Sequence, residues 1–210
     1  MISHLRREYT LAGLNEQDLQ PDPQEQFRRW IQEAIDAELA EPNAAVLATV
    51  DSRGQPSTRV VLLKAVDARG FSFFTNYESR KGRELAANPR AALTFPWVEM
   101  ERQVCITGSV TQLPREESEI YFKTRPRGSR LGAWASKQSE VIADRTILES
   151  RLAELDQRYP GNDIPMPPTW GGYVLAPDTV EFWQGRPSRL HDRLVYIQQS
   201  GAWKIQRLSP

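Results

Sequence analysis

The spacing of apolar positions divides the chain into regions of different period. Phe27, Trp30, Ile31, Ala34, Ile35 and Leu39 recur at intervals of three to four, the signature of one helix face. Asp22-Pro23-Gln24-Glu25 precedes them and predicts the helix start, with Asp as N-cap, Pro at the first helical position and Glu in the first turn. From residue 44 the period shortens. Apolar runs at 44–50, 57–66 and 71–75 are separated by Asp51-Ser52-Arg53-Gly54 and Asp67-Ala68-Arg69-Gly70, short Gly-bearing turns that predict antiparallel hairpins. Further strands are predicted at 91–95, 103–113, 172–175, 180–183, 194–197 and 203–207, with a turn over 198–201. Helices are predicted at 79–88, 114–123 and 142–159, the last carrying Leu148, Leu152 and Leu155 on one face. The stretch 160–168 is rich in proline and reads as a loop, as do the segments holding Ser129 and Gln138.

Strands joined by tight turns, with helices inserted among them, predict an α+β fold built on an antiparallel sheet. So many short strands are most economically closed into a barrel, which removes exposed edges. Residues 1–20 are polar and predict a flexible arm, with Arg6-Arg7 beside Tyr9; residues 21–210 predict one domain.

Charge and composition narrow the function classes. The 27 basic and 27 acidic residues cancel, which argues against chain-wide attraction to nucleic acid or anionic membrane. Two histidines, His4 and His191, and a single cysteine, Cys105, argue against a metal site and leave no intrachain disulfide. No apolar run reaches the roughly 18 residues of a membrane span, and the N-terminus lacks the apolar core of a signal peptide. A cytoplasmic protein is the expectation. There is no strand–GxGxxG–helix unit, no Walker loop and no Gly-x-Ser-x-Gly, so a bound phosphate must be gripped largely by side chains.

Several segments offer such grips. If 189–193 is extended, Arg189, His191 and Arg193 share one face, which suits an anion beside a proton-sharing imidazole; an exposed basic strand end would give the same pattern. Arg59 and Lys64 bracket an apolar strand and would face opposite sides. Thr75 and Ser79-Arg80-Lys81 run from a strand end into a helix start, a phosphate-binding combination and equally an ordinary N-cap followed by surface charge. Tyr121 and Arg125 stand at helical spacing ahead of Ser129, and Gln103, Gln138 and Ser139 supply amides and a hydroxyl suited to a planar heterocycle. Several anion sites with little acid–base equipment point to a cofactor that carries the chemistry.

Taken in order, Arg59 to Lys64, Thr75-Asn76 with Ser79-Arg80-Lys81, Glu101-Arg102-Gln103-Val104, Ser136 to Ser139, Glu181 to Gly185 and Arg189-Leu190-His191-Asp192-Arg193 resemble the pyridoxine/pyridoxamine 5'-phosphate oxidases of vitamin B6 metabolism, over nearly the whole chain. The resemblance implies a split-barrel homodimer with two FMN molecules at the subunit interface. Carried over, FMN would meet Arg59, Val60, Val61, Leu62, Leu63, Lys64, Phe74, Thr75, Arg80, Lys81, Gln103, Gln138, Ser139, Trp183 and Arg193, with Arg80 and Lys81 on its phosphate. The substrate phosphate would meet Lys64, Tyr121, Arg125 and Ser129. Arg189, Leu190 and His191 would lie against the pyridine ring, with Arg189 and His191 catalytic, and Arg6, Arg7, Glu8 and Tyr9 would fold over as a lid. The implied reaction oxidises C4' of pyridoxamine or pyridoxine 5'-phosphate to pyridoxal 5'-phosphate. A hydride equivalent goes to flavin N5, dioxygen becomes hydrogen peroxide, and the amine releases ammonia. A phenazine-pathway flavin oxidase of the same fold would share the FMN set without necessarily sharing the substrate set. A non-catalytic flavin or pyridoxal-phosphate carrier would be expected to lack Arg189 or His191.

Overall fold

The computed structural model describes all residues except 1, 3 and 6. Arg6, expected in the lid, therefore lies outside the described residues. Among the described residues nine strands form one antiparallel sheet: β1 (Ala44–Val50), β2 (Pro56–Leu62), β3 (Ala65–Asp67), β4 (Gly70–Asn76), β5 (Arg90–Trp97), β6 (Arg102–Gln112), β7 (Trp170–Gln184), β8 (Asp192–Gln199) and β9 (Ala202–Arg207). The hydrogen-bonded path runs β2-β1-β5-β6-β7-β4-β3, and β8 and β9 continue from the far half of β7. Its two ends, β2 and β3, are joined through Leu63 and Lys64 alone, so the path must curl until its ends meet. The sheet is thus a curled antiparallel half-barrel, as the alternating runs predicted.

α1 (Pro23–Asp36) starts where the sequence indicates, with Asp22 accepting from the backbone N–H of Gln24 and Glu25. Phe27, Trp30 and Ala34 of its apolar stripe are buried against the sheet, whereas Ile31 is half-buried, Ile35 is exposed and Leu39 lies beyond the helix end. The Phe27 ring lies edge-on to Phe71 and Phe95 at 5.0 and 4.8 Å, and Trp30 meets Phe182 at 5.1 Å. Each fully buried aromatic contributes about 1.5–3 kcal/mol from burial, so this helix is a main anchor of the core. α2 (Arg80–Ala87), α3 (Arg115–Thr124), α4 (Arg127–Ala135) and α5 (Thr146–Arg158) surround the sheet. Among the described residues no helix is long and apolar enough to cross a membrane.

Four local expectations are corrected. The run 57–66 is two strands, broken at Leu63–Lys64, where the backbone turns the barrel corner. The strands expected at 172–175 and 180–183 are one strand, β7; Pro177 sits at its irregularity opposite Gly108, where a proline costs no regular ladder bond. The supposed loop around Ser129 is α4, which buries Leu131 beside Phe122 and Ile164. The segment 189–193 is not extended throughout. Pro187–Arg189 is a 3-10 turn in which Arg189 has φ +64°, and β8 begins only at Asp192.

Candidate active site

A buried carboxylate organises the start of α2. Glu84 is 5% exposed and accepts from Ser57 Oγ at 2.7 Å, from Arg59 at 3.2 Å, from Arg80 Nε at 2.8 Å and from Thr49. Burial alone would raise its pKa. The hydroxyls of Thr49 and Ser57 and the two guanidinium groups outweigh burial and bring it down to about 2. Ser79 caps the helix, accepting from Gly82 N–H. Gly82 is required there, because a Cβ would stand 2.0 Å from the Tyr77 carbonyl oxygen. Lys81 Nζ donates to Thr75 Oγ1 at 3.1 Å and to Gln138 Oε1 at 3.0 Å, and the Ser139 hydroxyl accepts from Arg80 N–H at 3.1 Å. Burial, then the nearby Arg59 charge, pushes the Lys81 amine down to about 8. Arg59, Arg80 and Lys81 against Glu84 alone leave two uncompensated positive charges, which a phosphate monoester dianion would neutralise.

Next to this cradle opens a cavity of about 570 Å³ whose lining includes Leu62, Lys64, Phe74, Thr75, Tyr121, Arg125, Ser129 and Gln138. One wall is a stack of rings: Phe74 lies 4.0 Å from Tyr121 and 5.5 Å from Trp170, near parallel to both. Arg125 rests on the Trp170 face at 4.7 Å, and one of its terminal nitrogens is buried without a protein partner. Burial depresses its pKa. Helix α3 ends at Thr124, so Arg125 reaches the cavity from an extended cap residue rather than from a fourth helical turn. Lys64 stands at the barrel corner, its N–H bonded to the Ser72 carbonyl at 2.8 Å.

Gln103, Trp183, Arg189, Leu190, His191 and Arg193 gather elsewhere, and none lines that cavity. Gln103 pairs with Trp183 across β6 and β7, and Trp183 lies eleven residues along β7 from Gly172, the partner of Phe74. That separation is about 35 Å of strand at ~3.3 Å per residue. The Trp183 ring is 4.6 Å from His191. His191 Nδ1 accepts from Arg186 N–H at 3.1 Å, which leaves the neutral ring's proton on Nε2. Burial and the Arg189 charge lower its pKa. Arg193 is committed to Glu181 through two bonds of 2.8 and 3.0 Å. Gln103 donates to Cys105 Sγ at 3.1 Å. Val60, Leu62, Leu190 and Arg189 are exposed, while Leu63 is buried and Val61 half-buried.

The N-terminal segment lies over this second group. Tyr9 packs edge-on against Trp183 at 5.8 Å and tilted against His191 at 5.7 Å. Gly185 permits it, since a Cβ there would stand 2.7 Å from the Tyr9 ring. Glu8 accepts from Ser188 N–H at 3.2 Å, and Leu14 is buried, its N–H bonded to Asp192 at 3.0 Å. Arg186, which had no sequence-based role, donates to the Ala12 carbonyl at 3.2 Å and pairs with Asp192.

Sequence reasoning missed Glu84, Trp170 and Asp192 as organisers of these groups. For Glu84 and Asp192 the one signal is that a carboxylate taken out of water needs partners, and these lie mostly elsewhere in the sequence; Trp170 carries no such signal.

Comparison with known proteins agrees with the geometry. The family profile described as pyridoxamine 5'-phosphate oxidase matches residues 31–159, and that of the pyridoxine 5'-phosphate oxidase C-terminal dimerisation region matches 170–210. The pyridoxine/pyridoxamine 5'-phosphate oxidases of Cupriavidus necator and Paraburkholderia phymatum are 58% and 59% identical over 210 residues, covering 100% of this chain and 99% of each relative. PhzG from Burkholderia lata, solved with tetrahydrophenazine-1-carboxylic acid, superposes with a TM-score of 0.88 at 34% identity, covering 94% of this chain and 98% of that one. The chain belongs to the pyridoxamine 5'-phosphate oxidase family, whose cofactor is FMN.

Proposed function

We propose that this chain oxidises pyridoxamine and pyridoxine 5'-phosphates to pyridoxal 5'-phosphate. The observation that carries the reading is the meeting of Lys64, Tyr121, Arg125 and Ser129 in one cavity with Leu62, Phe74, Thr75 and Gln138. Two cations, two hydroxyls and a buried unpartnered guanidinium nitrogen suit a substrate phosphate. The neighbouring cradle of Arg59, Arg80, Lys81 and Ser139 suits the FMN phosphate, with Val60, Val61 and Leu63 as strand neighbours. FMN held by Arg59, Arg80, Lys81 and Ser139 would supply the two-electron acceptor that the chain lacks, for oxidation at C4' with dioxygen as the final acceptor.

The protein's own residues bind and orient. Gln103, Trp183, Arg189, Leu190, His191 and Arg193 stand apart from the cavity within one chain, so a second copy completes each site. The dimerisation match over 170–210 supports that homodimer. Arg189 orients and polarises the substrate. His191, with Nδ1 already accepting, acts as a donor from Nε2 and positions the ring rather than taking a proton there. Arg7, Glu8 and Tyr9 close over the pyridine, excluding water.

A second reading, oxidation of a reduced tricyclic carboxylate, has the likeness to PhzG behind it. The substrate-side grip of Lys64, Tyr121, Arg125 and Ser129 favours the B6 esters, since the FMN cradle would serve either reading. Anaerobic addition of pyridoxine 5'-phosphate to the purified flavoprotein tests the choice: the flavin bands should bleach and return with oxygen. Bands unmoved by this ester but bleached by a dihydrophenazine carboxylate would select the second reading.

A further inference from the structure

We propose that Glu101 is the latch that holds the N-terminal arm on the Trp183–His191 face, and hence a positioning residue for turnover. This rests on the reading above in which the arm covers bound substrate. Glu101 is 2% exposed and occupies the left-handed region, with φ +55°, between β5 and β6. Its main chain is fixed: the carbonyl accepts from Gly185 N–H at 2.7 Å and from Gln184 Nε2 at 3.1 Å. From this rigid base the carboxylate reaches the arm twice. Oε1 lies 3.2 Å from an Arg7 terminal nitrogen, an ion pair without hydrogen-bond alignment, and Oε2 accepts from Leu11 N–H at 3.0 Å. Arg7 and Leu11 stand two residues on either side of Tyr9, so one side chain grips both flanks of the ring that contacts Trp183 and His191. Two residues beyond Glu101, at the start of β6, is Gln103, so closing the arm and placing the expected flavin-side amide share one support. The arm's other ties, which include Glu8 to Ser188, Ala12 to Arg186, and Leu14 to Asp192 and Arg207, reach the 3-10 turn and its N-cap, β8 and β9 instead.

The test uses full-length flavin-loaded enzyme carrying Glu101→Gln, Glu101→Ala, Arg7→Gln, and Glu101→Gln with Arg7→Gln. Two readouts are taken: trypsin cleavage after Arg7 or, in the Arg7 variants, amide exchange at Leu11, and the steady-state constants for pyridoxine 5'-phosphate. Loss of a charge-assisted contact should open the arm and raise KM roughly tenfold, with flavin content unchanged. The double variant should be no worse than the more severe single one. Arm protection unchanged in the folded Gln variant overturns the latch, and so does a KM effect that simply adds to that of Arg7→Gln. If the Ala variant fails to fold, the isosteric Gln variant decides. If pyridoxine 5'-phosphate is not oxidised at all, the proposed function fails, and proteolysis and exchange still judge the latch by themselves.

Discussion

Arg59, on a strand, and Arg80, on a helix, point into the same space because both are bonded to the Glu84 carboxylate, at 3.2 and 2.8 Å. A shared counter-ion holds two like charges side by side before any ligand arrives. Arg80→Ala should therefore weaken FMN retention by roughly 10–100-fold, the worth of a charge-assisted bond. Flavin content after dilution and gel filtration checks this, and normal content would contradict it.

The same carboxylate sets an acid limit. Its folded pKa of about 2 lies below the ordinary 4.5, so it contributes stability that is fully present above 4.5 and is lost as pH falls toward 2. Glu84→Gln should flatten that part of the stability profile in denaturant titrations between pH 5 and pH 2, while the wild type loses stability steadily.

At the alkaline end Lys81 governs. Its amine titrates near 8 instead of 10.5, because burial and then Arg59 disfavour the charge. A phosphate dianion favours the protonated form, so FMN affinity should fall as pH rises through 8, by at most about tenfold per unit. Lys81→Arg keeps the charge and should remove the dependence. Fluorescence titration of the apoprotein from pH 7 to 10 measures both.

Arg189→Ala should cut turnover by about 10²-fold or more, the usual loss when a positioned donor is removed, and leave FMN bound. Unchanged kcat with pyridoxine 5'-phosphate would end its catalytic assignment.

Gly185→Ala should act on the arm alone. The new methyl stands where the Tyr9 ring now lies, so the ring must leave Trp183 and His191. We expect KM to rise several-fold with thermal stability changed by under about 1 kcal/mol, because the nearest atoms that the new methyl meets all belong to the Tyr9 side chain of the arm. Identical KM would mean that Tyr9 does not contribute to binding. Removal of residues 1–9 should likewise impair activity more than folding, an unaffected rate marking the arm as dispensable.

Much of this was legible in the chain. The Asp22-Pro23 start of α1, the strand at 44–50 and the cap at Ser79 rest on local signals that tertiary packing did not override. α4 was not legible, since Gly128 and Gly132 weaken its propensity and its helicity follows from packing Leu131 into a satellite core. Nor was the continuity of β7 legible, because Ala176-Pro177-Asp178 reads as a break until Gly108 is known to lie opposite. The left-handed Arg189 defeats an argument from strand alternation outright. Buried Glu84 and Glu101 have no periodic signature; their partners come from several elements, and only the fold brings these together.

Lys64 sits in the two-residue corner where the ends of the sheet meet, tied there by its own backbone. The position of that ammonium is therefore a property of barrel closure and cannot be retuned by lengthening a loop. Substitutions in β3, which carries none of the expected ligand contacts but holds this corner on β4, should register as defects in phosphate affinity. In this architecture, the integrity of the scaffold and the selectivity of the site are inherited together.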